Sequence, residues 1–335
     1  MQINLSDVIM SKKSGILLLG SAGSGKSYFV KRFIAELSAV TQDGIFVCDP
    51  QGEYAPLISE LNGQTVKLSQ KSEVYLNPMD IPFGIEFEAN EDPIAEKISF
   101  LFTFMELIAN DALTSGERDL IGSCASKIYT EFYKNPSAES MPVLEDLYGA
   151  LTENGAQRLI SSLEPYVHGS CKILSNRTNI DLKNRLVCFD TLKIGASLQT
   201  AVMLTVMESV WTRVSQNRAV GNVSWCFCDE LYPMLNNEQA MRYFLEINKR
   251  FRRCGCIPVI TTQNTESLLN FSETESIADD STFVIMFNQA RNVPKVLAEK
   301  LGISEHLMEH VAHSAPGCGL VKLGEVIEPF RGIAE

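Results

Sequence analysis

The stretch GSAGSGKS, at Gly20–Ser27, has the residue types and the spacing of a loop that holds phosphate. It matches the pattern G-x-x-x-x-G-K followed by Ser or Thr, and it lies between the apolar run ILLL and the helix-like YFVKRFIAELSAV. Glycines let backbone amides close around phosphate oxygens, and a helix N-terminus adds positive potential. We expect Lys26 to reach the β- and γ-phosphates and the Ser27 hydroxyl to ligate Mg²⁺. The predicted nucleotide-binding residues are Gly20, Ser21, Ala22, Gly23, Ser24, Gly25, Lys26 and Ser27.

The second chemical candidate is the acidic pair in WCFCDEL, where an apolar run ends at Asp229 and Glu230 follows. In P-loop enzymes the strand-end Asp holds Mg²⁺ through water, and an adjacent Glu polarises the attacking water. A carboxylate base makes water the acceptor, which predicts a hydrolase rather than a kinase. Alone, such a pair is equally typical of a helix N-terminus. Together with the phosphate loop, it favours ATP hydrolysis, with Mg²⁺ held by Ser27 and Asp229.

A basic segment, KRFRRCGC at Lys249–Cys256, stands out in a chain that is acidic overall. If residues 238–253 form a helix at about 100° per residue, Phe251 falls on the buried stripe. The four basic residues are then expected on the opposite, exposed side: Lys249, Arg250, Arg252 and Arg253. A solvated basic face near a helix C-terminus is the simplest interpretation. The alternative is an arginine that reaches the nucleotide of a neighbouring subunit.

The composition indicates an ordinary globular protein. The chain has 335 residues, 45% hydrophobic and 21% charged, enough for one large or two modest domains. Its 29 basic and 41 acidic residues give a net charge of −12, which argues against a protein that coats nucleic acid, although a local basic loop could touch DNA. The apolar runs are far shorter than the ~18 residues of a membrane span, and the N-terminus lacks a signal-peptide pattern. We therefore expect a cytoplasmic location and no membrane span.

Continuous apolar runs predict the strands that position these residues. Because the runs do not alternate with polar residues, they indicate a parallel sheet. They are Gly15–Leu19, Gly44–Cys48, Leu186–Phe189, Trp225–Cys228, Ile257–Thr261 and Thr282–Phe287. Three of these runs are followed by an acidic residue, Asp49, Asp190 or Asp229. Ligands of open parallel sheets bind at the carboxyl ends of the strands, so Asp49 and the nearby Glu53 are further candidates for the site, with solvated acids as the alternative.

The remaining chain divides by its periodicity. Helical spacing of apolar residues dominates between roughly Asp92 and Ile180, and Gly319–Phe330 reads as a hairpin that turns at Gly324 and Glu325. The predicted fold class is α/β, with a central mostly parallel sheet flanked by helices. Residues 1–90 and 181–335 are predicted to form the α/β ATPase domain, and residues 91–180 an all-α insertion.

Two Cys-x-Cys pairs raise the question of a metal site. They are Cys226 with Cys228 and Cys254 with Cys256. Four thiolates could hold zinc, but the first pair lies inside an apolar run and the chain has no Cys-x-x-Cys pair. We interpret these cysteines as small buried hydrophobic residues.

Several short stretches recur in the order of a known family. They are GSAGSGKS, CDPQGEY (Cys48–Tyr54), LNPMDI (Leu76–Ile81), EPYVHGS (Glu164–Ser170), WCFCDEL, FRRCGCIPVITTQN (Phe251–Asn264), FNQAR and APGCGLVKLG. With them the chain resembles, over essentially its whole length, the VirB-four and TraC-like conjugative-transfer ATPases of type IV secretion systems. The resemblance implies a RecA-like P-loop NTPase motor related to the HerA–FtsK DNA pumps and to conjugation coupling proteins.

The resemblance also implies cofactors and partners. It implies ATP and Mg²⁺, a homo-oligomeric ring that is a hexamer when active, and docking at the cytoplasmic face of the membrane. The implied partners are secretion-channel components and a coupling protein, with DNA as a further candidate. The implied work is channel or pilus assembly and DNA–protein transfer. Full-length members carry another domain before the phosphate loop, which begins here at Gly20, so the resemblance implies an excised motor domain or a short homologue.

Within the basic segment, the resemblance selects one arginine. Related ring motors place an Arg three residues before a Gly and eleven before a strand-end polar residue, which here gives Arg252, Gly255 and Gln263. Arg252 is implied to act in trans, with Arg253 and Arg250 as alternatives. Gln263 is implied to sense the γ-phosphate or to place the attacking water.

Three functions remain open from the sequence. The first is the secretion-system ATPase, and the second is a HerA–FtsK-like translocase that pumps DNA. The third is an assembly subunit that ATP binding switches with little turnover. Because Glu230, Gln263 and an arginine candidate are all present, we expect turnover.

Overall fold

The computed structural model describes residues 2–11, 15–87, 91–169, 171–269, 281–290 and 292–332. The predicted boundary at residue 90 lies outside these ranges. The strands are β1 (Ile16–Leu19), β2 (Gly44–Asp49), β3 (Gln64–Ser69), β4 (Leu186–Lys193), β5 (Ser224–Cys228), β6 (Cys256–Thr262), β7 (Phe283–Phe287), β8 (Cys318–Leu323) and β9 (Val326–Arg331). They form one sheet in the order β3-β4-β2-β5-β6-β1-β7-β8-β9.

The sheet is mostly parallel. Every neighbouring pair from β3 to β7 is parallel, and β8 and β9 add antiparallel pairs at one edge. The central strands are buried on both faces, so alternate residues enter two different cores. Leu17 and Leu19 enter one core, and Ile16 and Leu18 enter the other. This explains why continuous apolar runs predicted the strands correctly.

All six strands predicted from apolar runs are confirmed, and so is the hairpin that turns at Gly324 and Glu325. β3 was missed. Its sequence, QTVKLS, alternates between partly buried, buried and exposed positions, because β3 is an edge strand of the sheet. A strand of that kind lacks the continuous apolar run that marks the central strands.

Helices cover both faces of the sheet. In chain order they are α1 (Leu5–Ser11), α2 (Lys26–Val40), α3 (Ala55–Glu60), α4 (Pro93–Ala109), α5 (Ser115–Phe132), α6 (Leu144–Glu153), α7 (Gln157–Val167), α8 (Ala196–Ala219), α9 (Tyr232–Leu235), α10 (Glu238–Arg253), α11 (Thr265–Leu269), α12 (Val293–Leu301) and α13 (Glu305–Ala312). The first three pack on one face, and the others contribute to the core on the opposite face. The predicted α/β fold class is therefore confirmed. No helix within the described ranges has both the length and the apolarity that crossing a membrane requires.

α10 occupies the bounds that the periodicity predicted, and Phe251 is buried as expected. The expectation that Arg250 is exposed is wrong. Arg250 is buried, with its guanidinium 3.2 Å from Glu96 and 3.4 Å from Glu208 and stacked over the Trp211 ring. A helical projection shows one buried stripe, whereas α10 packs against the sheet and also against α4 and α8. That second contact buries Arg250 and removes it from the candidates for a residue that acts in trans.

Candidate nucleotide site

The phosphate loop, Gly20–Ser27, connects β1 to α2 at the carboxyl edge of the sheet. Gly25 has φ 105°, in the left-handed region that favours glycine. A Cβ atom on Gly25 would also lie 2.8 Å from the backbone nitrogen of Gly317. The loop therefore needs glycine at this position for two separate reasons. Since α2 begins at Lys26, the first amides of that helix lack helical partners and are available to a phosphate.

Two other loops brace the phosphate loop from behind. The Ser21 amide and hydroxyl both donate to the Asn288 carbonyl, at 2.8 and 3.0 Å. The Gly317 amide donates to the Ser24 carbonyl at 2.9 Å. The Asn288 side chain joins the two braces by donating to the Ser314 carbonyl at 2.7 Å. The stretches FNQAR and APGCGLVKLG therefore include residues that support the loop, a role that the sequence alone did not assign.

Lys26 is buried within the loop. Its ammonium donates to the carbonyls of Gly20 and Ser21, the latter at 3.1 Å. Burial lowers the pKa of Lys26, and the carboxylates of Glu230 and Asp229 act in the opposite direction. The ammonium is thus beside the acidic pair, and its carbonyl partners can be exchanged for phosphate oxygens.

Asp229 follows β5 directly and is buried. Its carboxylate accepts a hydrogen bond from the Thr261 hydroxyl, and its own amide donates to the Cys48 carbonyl at 3.1 Å. Burial raises the pKa of Asp229 to about 6, although the Thr261 hydrogen bond acts against this shift. A carboxylate that is costly to ionise in a buried site favours a cation beside it.

Glu230 has a strained backbone, with φ 54° in a region where non-glycine residues are uncommon. Its carboxylate is fixed by three donors: the Thr262 hydroxyl and the Gln263 amide, each at 3.2 Å, and the Tyr232 amide at 3.3 Å. The Thr261 hydroxyl accepts from the Glu230 amide at 3.3 Å. Strain that the surroundings maintain in this way is typical of functional sites.

Gln263 follows the last residue of β6, beside Glu230, with its side chain half-buried. The two residues before it, Thr261 and Thr262, anchor Asp229 and Glu230, and sequence reasoning did not identify them. The signal was two hydroxyl residues in succession at the carboxyl end of an apolar strand. The structure thus brings together the phosphate loop, Asp229, Glu230 and Gln263.

Arg252 lies elsewhere. It is in the last turn of α10, and only Cys254 and Gly255 separate that helix from the first residue of β6. It is half-exposed, and Arg253 is exposed. The seven residues of β6 span about 20 Å at roughly 3.3 Å per residue, so Arg252 is at the opposite edge of the sheet from Gln263. It cannot take part in the nucleotide site of its own chain.

Asp49 and Glu53 also lie near the site but in different roles. The Asp49 carboxylate is fully buried and accepts from the amides of Glu53 and Tyr54, at 3.1 and 3.0 Å. It therefore shapes the turn after β2. Glu53 is partly exposed, 3.9 Å from Lys31, and its charge acts on Lys26.

The thiol groups of Cys48, Cys226 and Cys228 lie within 4.8 Å of one another and are buried. Cys48 and Cys228 are paired residues of adjacent strands, and Cys226 is two residues before Cys228 on the same face. Neighbouring positions on one face of a sheet have this spacing. The arrangement is consistent with small core residues.

The donor atoms at the carboxyl edge suit Mg²⁺. The Ser27 hydroxyl and the Asp229 carboxylate are hard oxygen ligands, which Mg²⁺ prefers. Asp229 is also a desolvated carboxylate whose ionised form a cation stabilises. These residues of the chain therefore fit a magnesium–nucleotide complex.

Comparison with known proteins concerns the family and the fold. The model of the family described as the central domain of helicase HerA matches residues 7–164. An uncharacterised protein of Aquifex aeolicus (strain VF5) is 52% identical over 40 residues, which are 12% of this chain and 15% of that protein. The match therefore spans a small part of that relative's length.

Two solved structures share the fold over nearly the whole chain. VirB4 of Thermoanaerobacter pseudethanolicus has a TM-score of 0.82 at 18% identity, over 96% of this chain and 89% of that one. The bacterial conjugative coupling protein TrwB, solved with sulphate, has a TM-score of 0.57 at 14% identity, over 100% of this chain and 92% of that one. The fold is that of the P-loop NTPases. With the family match, these structures confirm the resemblance that the motifs indicated: the chain is similar to the VirB4-like ATPases related to HerA and FtsK.

Proposed function

We propose that the chain is the ATP-hydrolysing motor of a conjugative type IV secretion system, which powers channel or pilus assembly and DNA–protein transfer. The observation that carries the hydrolytic part is the position of Glu230. Its strained backbone and three hydrogen bonds fix a carboxylate beside Asp229 and Gln263. A binding-only subunit would not need a carboxylate held in this way. The secretion role rests on the motif order and on the structural likeness to VirB4.

Each residue of the site has a distinct proposed task. Lys26 would exchange its carbonyl partners for the β- and γ-phosphate oxygens, and Ser27 and Asp229 would hold Mg²⁺, Asp229 through water. The bound ion would neutralise charge on the phosphate oxygens. Glu230 accepts the proton of the attacking water, which adds to the γ-phosphorus as the bond to the leaving ADP oxygen breaks. Gln263, beside Glu230, orients that water.

We propose that the active form is a homo-oligomeric ring, a hexamer when active, in which Arg252 reaches the γ-phosphate of the neighbouring subunit. The location of Arg252 at the far edge of the sheet supports a role in trans and opposes one in cis. Arg253 remains the alternative, since both side chains reach the surface at the same helix end. Secretion-channel components and a coupling protein at the cytoplasmic face of the membrane are the proposed partners.

The test is steady-state ATPase activity against protein concentration, for the wild type and for Arg252→Ala. We expect the specific activity of the wild type to rise as rings form, and the variant to lose at least 10³-fold in kcat, as for other arginines that act in trans. A mixture of Lys26→Ala and Arg252→Ala subunits should recover activity, because some interfaces then combine an intact phosphate loop with an intact arginine. If no mixing ratio recovers activity, the role in trans is refuted.

A DNA translocase is the second candidate, and the match to the HerA central domain favours it. Adding duplex DNA to the same assay separates the two functions. A DNA-stimulated ATPase whose stimulation falls steeply with salt supports the translocase. Activity that does not respond to DNA supports the secretion motor. If Glu230→Gln retained function while Lys26→Ala lost it, both candidate functions would be wrong, and the chain would be a switch driven by nucleotide binding alone.

A further inference from the structure

Tyr54 is a buried residue beside the candidate site to which the mechanism assigns no task. It follows the turn after β2 and precedes α3. Its exposed fraction is 0%. Its amide is held by Asp49 at 3.0 Å, and the Lys31 ammonium lies 5.6 Å from the centre of its ring. The ring therefore has a fixed position in the core between the sheet and α2.

The hydroxyl of Tyr54 is not accounted for by this packing. It lies against the Asp229 carboxylate, yet it has no hydrogen-bond partner of regular geometry among the described residues. A buried hydroxyl without a partner is unfavourable, and such groups are uncommon in native proteins. Phenylalanine would fill the same apolar space without that cost. The presence of the oxygen therefore suggests a state in which it has a partner.

Asp229 offers that partner. Thr261 donates to one oxygen of its carboxylate, Oδ1, and an ionised carboxylate has further acceptor positions. A tyrosine hydroxyl is both a donor and an acceptor, so it can donate to that carboxylate. A hydrogen bond from a hydroxyl to an ionised carboxylate is short and strong.

We propose that Tyr54 is a positioning residue for magnesium, whose hydroxyl donates to Asp229 when the metal–nucleotide complex is bound and, with Thr261, fixes that carboxylate. The proposal rests on the proposed nucleotide site. Partners of this kind orient the groups that hold a metal, and their loss typically lowers metal affinity by 10- to 100-fold. Because Asp229 acts through water, we expect a change at the lower end of that range.

The test is Mn²⁺ binding to the full chain with ADP present, measured by electron paramagnetic resonance of free Mn²⁺. Tyr54→Phe should weaken Mn²⁺ affinity about tenfold. Its affinity for a fluorescent ADP analogue in EDTA should stay within about twofold of the wild type, because the phosphate loop is unchanged. The melting temperature without metal should not fall, because the substitution removes only an unpartnered oxygen.

Tyr129→Phe is the matched control. Tyr129 lies in α5; its hydroxyl is equally buried but donates to the Met79 carbonyl at 2.8 Å. Tyr129→Phe should have a lower melting temperature than the wild type and the same Mn²⁺ affinity. The proposal is refuted if Tyr54→Phe binds Mn²⁺ as the wild type does, or if ADP binding in EDTA weakens equally. If the wild type fails to bind Mn²⁺ with ADP at all, the nucleotide site itself is refuted, and the role of Tyr54 with it.

Discussion

The buried charges between α4, α8 and α10 give a prediction whose size follows from the structure. Glu208 is at the centre of this group. One carboxylate oxygen accepts from the Lys97 ammonium at 2.6 Å, and the other accepts from the Tyr243 hydroxyl and lies 3.4 Å from Arg250. The side chains of Lys97 and Glu208 are only 2% and 4% exposed. The substitution Glu208→Gln therefore removes a desolvated negative charge and leaves its cations in place.

The two cations differ in the partners that they keep when the Glu208 charge is removed. Arg250 keeps Glu96 at 3.2 Å, a carboxylate that is partly exposed. Lys97 keeps the Pro78 carbonyl at 3.2 Å, the face of Phe100 and the nearby charge of the buried Asp80 carboxylate. Breaking a buried pair from one side costs about 3–5 kcal/mol, because the remaining charge stays buried without its closest counter-ion. With an unfolding entropy of ~2.1 cal/mol/K per residue, a loss of about 4 kcal/mol lowers the melting temperature of a chain this size by about 6 °C.

The assay is thermal unfolding followed by calorimetry and by circular dichroism, with Glu238→Gln as the control. Glu238 pairs with Arg242 on the surface of α10, with side chains that are 62% and 63% exposed. That substitution should cost less than about 1 kcal/mol. The double variant Glu208→Leu/Lys97→Met should regain much of the loss, because apolar groups then replace both members of the closest pair. If Glu208→Gln and Glu238→Gln behave alike, water reaches the group and the reasoning fails.

Three further predictions concern the nucleotide site. Burial raises the pKa of Asp229 from 3.8 to about 6, so between these values the folded state binds a proton that the unfolded state has lost. The metal-free protein should therefore lose stability as pH rises from about 4 to 6. In urea unfolding, Asp229→Asn should be more stable than the wild type at pH 8 by up to ~3 kcal/mol and equally stable near pH 4. Gly25→Ala should abolish binding of a fluorescent ATP analogue, since its Cβ would be 2.8 Å from the Gly317 backbone. Gly23 has open space around it, so Gly23→Ala should lower the free energy of unfolding by only the ~1–2 kcal/mol that a left-handed backbone costs alanine. Thr262→Val removes a donor to Glu230 and should lower kcat by about 10- to 100-fold while leaving nucleotide affinity unchanged; an equal loss of affinity would contradict the assigned role.

Most of the sheet could be predicted from the sequence because its central strands are buried on both faces. Runs such as Gly44–Cys48 and Thr282–Phe287 carry that burial as continuous apolar sequence. The phosphate loop was predictable because local backbone geometry requires its glycines, as the positive φ of Gly25 shows. β3 was not predictable in the same way, since an edge strand is only partly covered.

Tertiary contacts account for what the sequence did not reveal. Arg250 is buried because α10 meets a second layer of helices, and a projection of one helix contains no information about that layer. Tyr54 is buried because it packs into the same core as the apolar face of α2, and the stretch CDPQGEY gives no periodicity from which to infer it. Thr261 and Thr262 were visible as residues, but their partners, Asp229 and Glu230, are 32 positions away.

The location of Arg252 also restricts how subunits can assemble. One strand, β6, has Gln263 at its carboxyl end and follows Arg252 at its other end, so the two residues are on opposite edges of each subunit. For Arg252 to reach a neighbour's nucleotide, the amino edge of one sheet must face the carboxyl edge of the next. A head-to-tail interface makes this contact between every pair of neighbours, and it closes into a ring when the rotation that relates them divides a full turn. An active species with the mass of a dimer that hydrolyses ATP at full rate would therefore contradict the proposed ring.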